Sequence, residues 1–164
     1  MTHRPVTVAA LVAAACGAGS DGSGTLTGAV YRSADTIRLA APATAEHCLG
    51  SGDVLLEGTT PDGGGVLVWL RSGDSLAGEY PYLSRGDTLS PRGAIAGVRY
   101  VVGDIARGVT LDSGATLVSM RRERIGARVA GSGLDPTTAA RIRVELEFAA
   151  VPSPRDSTAC RAAL

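Results

Sequence analysis

Four short stretches carry side chains whose types and spacing suit chemistry. Gly73-Asp74-Ser75-Leu76 sets a serine hydroxyl among turn residues. As a nucleophile it would attack an ester carbonyl, and a histidine would have to take its proton. The two histidines, His3 and His47, both precede Ser75. Leu111-Asp112-Ser113-Gly114-Ala115-Thr116 presents one aspartate, a carboxylate able to act as acid or base. His47-Cys48 is the one soft metal-binding pair past residue 16, and a closed zinc site needs four ligands. Asp21, Asp53, Asp62, Asp74 and Asp87 stand among glycines, but no calcium-loop spacing unites them. Ordinary turn chemistry accounts for each stretch, because Asp, Ser and Gly are the residues turns favour. The expectation is therefore no catalytic residue, no metal and no cofactor.

Two of these stretches resemble known blocks. Gly73–Leu76 resembles the nucleophile block of the GDSL-type esterases, in which it opens a parallel α/β domain with Asp-x-x-His near the end. Leu111–Thr116 resembles the catalytic turn of retroviral-type aspartic proteases, in which two aspartates share a proton, so that the resemblance implies a homodimer. A secreted hydrolase using Ser75 or Asp112 is the alternative reading that these resemblances imply.

The N-terminus is more specific. Met1–Gly24 reads MTHRPVTVAALVAAACGAGSDGSG: a short basic start, an uncharged apolar run from Val6 to Ala15, then Cys16. This is the layout of a secretory signal, too short to span a bilayer as a helix. Small residues abutting a cysteine also resemble the lipobox of bacterial lipoproteins. That resemblance implies cleavage before Cys16 and its acylation, with an ordinary signal cut in the alanine run as the alternative. It also implies an outer-membrane destination, since Gly17 is not the aspartate that resembles a retention signal. Gly17–Gly24 then reads as a Gly/Ser tether reaching roughly 15 Å.

The expected organisation is a signal segment over 1–15, an acylated cysteine and tether over 16–24, and one domain over 25–164. Sixteen basic residues balance sixteen acidic ones, which leaves no electrostatic case for nucleic acid. Every basic side chain except the histidines is arginine. Beyond Cys16 the cysteines are Cys48 and Cys160. In an oxidising compartment such a pair reads as a disulfide, tying the tail to the first third of the domain and contributing up to about 4–5 kcal/mol.

The apolar residues come in short runs of Val, Leu and Ala cut by Gly, Asp, Ser or Pro. That pattern predicts an all-β antiparallel sandwich or flattened barrel of about seven to nine short strands. Arg141–Phe148 alternates strictly, with Ile142, Val144, Leu146 and Phe148 on one face and charges on the other, as in a strand with one wet face. Strands over 54–59 and 65–71 flank Pro61-Asp62-Gly63, a turn with a mechanism. Val66–Leu70 is apolar on both faces and is expected at the middle of a sheet, with Trp69 in the core. Ala40–Thr44 is expected as a loop. Asp135–Ala139 is expected as one helical turn with Asp135 as its cap. Tyr80 and Tyr82, beside Pro81, are expected to be the exposed aromatics and the candidate ligand-binding residues. The order of parts over 78–152 resembles small β-sandwich domains of unknown function in bacterial secreted lipoproteins. The function expected is a non-catalytic envelope module, held to the membrane through Cys16, that serves a structural role or binds an envelope protein or glycan. Asp62–Gly65 and Ser84–Arg92 are its expected recognition loops.

Overall fold

The structure, a computed structural model, describes residues 23–154 apart from 74, 85 and 88, together with the backbone of residues 157–158. The strand with the cleanest sequence signal is β10, Arg141–Pro152. Its apolar face is buried, with Val144 and Phe148 fully enclosed; each such side chain is worth about 1.5–3 kcal/mol. It lies antiparallel between β1, Gly24–Tyr31, and β9, Arg124–Leu134. Beyond β1 come β2 (Thr36–Cys48), β3 (Val54–Thr59), β4 (Gly65–Arg71), β6 (Gly93–Val102) and β7 (Ile105–Thr110). Beyond β9 come β8 (Ser113–Arg121) and β5 (Gly78–Pro81). A two-residue β11, Ser157–Thr158, lies parallel to the end of β2. The fold is all-β, as expected, with no helix among the described residues. The strands among the described residues number eleven, and ten of them form one antiparallel path.

That sheet curls into a half-barrel around its core. The chain leaving β5 reaches across to β6, where Tyr82 bridges Ala94 and the Leu83 N–H donates to the Ala94 carbonyl at 2.8 Å. From the end of β7, Leu111 N–H donates to Ala96 and Asp112 N–H to Ser132, both at 2.9 Å. Glycine permits this closure. A Cβ on Gly133 would run into the Thr110 carbonyl, and one on Gly131 into the Tyr82 ring.

Two local expectations change. Ala40–Thr44 is no loop but the middle of β2, whose inward Leu39, Ala41 and Ala43 alternate with outward Ala40 and Pro42. Pro42 falls one residue outside the register with β3, where a missing N–H is tolerated. Asp135–Ala139 forms a turn rather than a helix, although Asp135 Oδ1 does accept from the N–H groups of Thr137 and Thr138 at 2.7 and 3.3 Å. As expected, β4 runs between two neighbours, β3 and β6.

The strand directions sort the loops between two ends. The end where β1 starts holds the β2–β3 turn, the loop before β6 and the β8–β9 turn. The opposite end holds the β1–β2, β3–β4, β6–β7 and β9–β10 turns. Asp62–Gly65 and Ser84–Arg92 therefore belong to opposite ends and cannot form one recognition surface.

Candidate functional site

The tyrosines exchange places with the tryptophan. Tyr80 is 0% exposed; its hydroxyl donates to the carbonyls of Leu76 and Ser75 at 2.7 and 3.2 Å. The Arg92 guanidinium lies 4.3 Å from its ring centre, and burial raises its pKa. Tyr82 is half-buried and donates to the Ala115 carbonyl at 3.1 Å; burial pushes its pKa up to about 12. The exposure expected of this pair is overturned, because β5 folds under the loop that Arg92 holds. Trp69, expected in the core, points to the outer face of β4 and is only half-buried. Its indole N–H donates to Asp53 Oδ2 at 2.9 Å. Val68 and Leu70 take the inward positions on either side.

The chemistry-bearing stretches stand apart. Arg92 donates to the Ser72, Ser75, Ala77 and Glu79 carbonyls, so the serine of Gly73–Leu76 lies in a loop fastened through its backbone. Asp112 pairs with Arg141 at 2.8 Å on the surface. His47 is near the end of β2, followed by buried Cys48. No group of three or more possible metal ligands occurs among the described residues. Cys16, Cys160, His3 and Asp74 lie outside the described residues.

Sequence reasoning passed over the outer face of β3, β4, β6 and β7. Register lines up Thr59, Gly65, Arg99 and Gly108 in one row and Glu57, Leu67, Gly97 and Thr110 in the next. Leu55, Trp69 and Ile95 form a third. Gly65, Gly97 and Gly108 leave a low floor between Glu57, Leu67 and Arg99, and the resulting open trough measures about 610 Å³. Arg99 has no partner among the described residues, while Glu57 accepts from the Thr59 hydroxyl at 3.2 Å. The trough thus offers apolar surface, a cation and a carboxylate side by side. Its turn is firmly built: the Thr60 hydroxyl donates to Asp62, whose carboxyl it holds below the usual range. The only sequence signal was the recurrence of glycine at outward positions, which becomes visible once the register is known.

A second cluster closes the end of the half-barrel away from the start of β1. Asp135 is buried and its Oδ2 accepts from the Tyr100 hydroxyl at 3.0 Å and from Arg107 at 3.4 Å. The Thr137 N–H, with help from Tyr100, Thr138 and Arg107, holds its pKa down to about 2 against the cost of burial. Arg32, paired with Asp35 at 3.0 Å, lies 5.8 Å from the centre of the Tyr100 ring. This arrangement is a structural plug: every oxygen of the carboxylate is already engaged.

No protein-family model, curated protein or solved structure matches this chain.

Proposed function

We propose that the protein is a non-catalytic module of the cell envelope, exported and held to the membrane by an acyl group on Cys16, that binds an envelope protein or glycan in the β3–β4–β6–β7 trough. One observation carries the reading. The trough is open, glycine-floored and bordered by Arg99, which has no partner among the described residues. The tail is a further part of the proposal. Thr158 lies across from Cys48 in the β11–β2 register, two residues before Cys160, which supports a Cys48–Cys160 bridge.

Filling the trough tests the binding site. A Cβ on Gly108 would meet nothing nearer than the Val98 carbonyl at 3.9 Å, so Gly108→Leu is expected to fold normally. Tagged protein should recover a defined partner from envelope extract, and Gly108→Leu should lose it with an unchanged melting temperature. Equal recovery by both proteins would refute the trough as the site. Intact mass of protein taken from its native membrane, with and without reductant before alkylation, tests the anchor and the bridge.

A further inference from the structure

The end of the half-barrel where β1 begins gathers charged and apolar groups, several of which no described residue satisfies. The β8–β9 hairpin turns there through Arg121-Arg122-Glu123-Arg124, all four exposed. Arg121 and Arg124 are directly opposite each other across the strands, where like charges repel. Arg124 donates to the Ala150 carbonyl at 2.8 Å, but Arg121 and Arg122 have no partner among the described residues. The turn is also unusual in its backbone. Arg122 and Glu123 have φ of 47° and 60°, the two-residue hairpin geometry for which Asn-Gly is the favoured sequence. Charged side chains occupy the tip despite that strain.

Apolar side chains project from the same end. Leu89, in the loop before β6, is 91% exposed, and Leu49, in the β2–β3 turn, is 64% exposed. Met120 flanks the arginines and is also exposed. Leu89 is held out by construction: Asp87 accepts from the Leu89 and Ser90 N–H groups, both at 2.9 Å, and Arg71 donates to the Asp87 and Ser90 carbonyls. The nearby acids are engaged, Asp53 by Trp69 and Asp87 by Ser90 and Arg71. Glu123 is the one acid within the hairpin turn itself. Gly24 belongs to this end too, packed close against Val151 one strand from Arg124.

We infer that this end is a membrane-contact surface: Leu89 and Leu49 enter the interface of a bilayer, while Arg121 and Arg122 engage its anionic headgroups. The inference rests on the proposed anchor for its setting, since Gly24 packs on Val151, whose neighbour Pro152 pairs with Arg124, so a tether entering at Gly24 arrives beside the arginine hairpin. It adds an orientation. Two contacts besides the acyl chain would hold the domain upright. Apolar insertion and basic contact act together at such surfaces.

The test uses full-length Cys16→Ala protein, which cannot be acylated, with vesicles of phosphatidylcholine alone or mixed with phosphatidylglycerol. Partition should favour the anionic vesicles and weaken with salt. Arg121→Gln with Arg122→Gln should lower it about 30-fold, from about 5-fold per arginine at an anionic surface. Leu89→Ser should lower it about tenfold. Arg38→Gln and Ile105→Ser, away from this end, should leave it unchanged. All variants keep residues 1–24, so differences between them belong to the folded domain, and equal melting temperatures establish folding. Equal partition into both vesicle types, or parental binding by both the arginine and leucine variants, would overturn the inference. Acylation is read separately by mass. Acylated protein without an anionic-lipid preference keeps the anchor and loses this surface; unacylated protein with that preference does the reverse.

Discussion

The two ends of the half-barrel treat charge in opposite ways. At one, Asp135 is buried and shared among Tyr100, Arg107 and two backbone N–H groups, and Arg32 is paired with Asp35. At the other, Arg121 faces Arg124 across a hairpin, and Leu89 in the loop before β6 is almost fully exposed. Three of the four non-glycine residues with positive φ among the described residues, Arg122, Glu123 and Ala150, are at this second end. One end is arranged for stability. The other accepts strain and repulsion, as expected of a surface whose partner lies outside the chain.

The largest expected effect breaks the stable end. Tyr100 is fully buried, so Tyr100→Ala should cost about 3–5 kcal/mol through the cavity it leaves. Tyr100→Phe keeps the ring and removes only the hydroxyl bond to Asp135, costing about 1.5–3 kcal/mol for a bond to a charged acceptor. Urea denaturation of the two variants measures both. If Tyr100→Phe equals Tyr100→Ala, packing contributes little and the polar plug carries that end.

Acid should sharpen the contrast. Asp135 has a folded pKa of about 2, below the ordinary unfolded value near 3.9. Its contribution is therefore complete above about pH 5 and is lost as pH falls toward 2. Asp135→Asn should be less stable than the parent at pH 6, and its stability should fall less between pH 4 and pH 2. Denaturation midpoints across that range decide it: parallel curves would mean that Asp135 is not the acid-sensitive group.

How far the sequence discloses this contrast depends on whether a feature is local. The strict alternation of β10 and the Pro61-Asp62-Gly63 turn state their structure within a few residues. The capping bonds of Asp135 are local too, and are legible. Its bond to Tyr100 joins residues far apart in the chain, and nothing near either one announces it. Trp69 and Tyr80 both stand in apolar surroundings, so hydrophobicity could not decide between them. Which face each takes follows from register, and the half-barrel gives Tyr80 the inside and Trp69 the outside. In β7, a single buried Val109 offers almost no alternation to detect. The trough and the arginine hairpin share this property, because their meaning comes from residues that strand pairing makes neighbours.

The smallest expected effect concerns that hairpin. Arg121→Glu replaces a like-charge cross-strand pair with an opposite-charge pair facing Arg124. Such pairs shift stability by about 0.2–1 kcal/mol, here in the stabilising direction and diminishing with salt. The same substitution removes a cation from the proposed lipid surface and adds an anion, so anionic-vesicle binding should fall as stability rises. A residue selected for folding alone would not have this opposition, because improving its neighbourhood would not weaken any other property. If Arg121→Glu destabilises the protein, Arg121 has a structural partner and the contrast between the two ends fails at its most exposed point. If it stabilises the protein and leaves vesicle binding intact, the repulsion is real but the membrane does not use it.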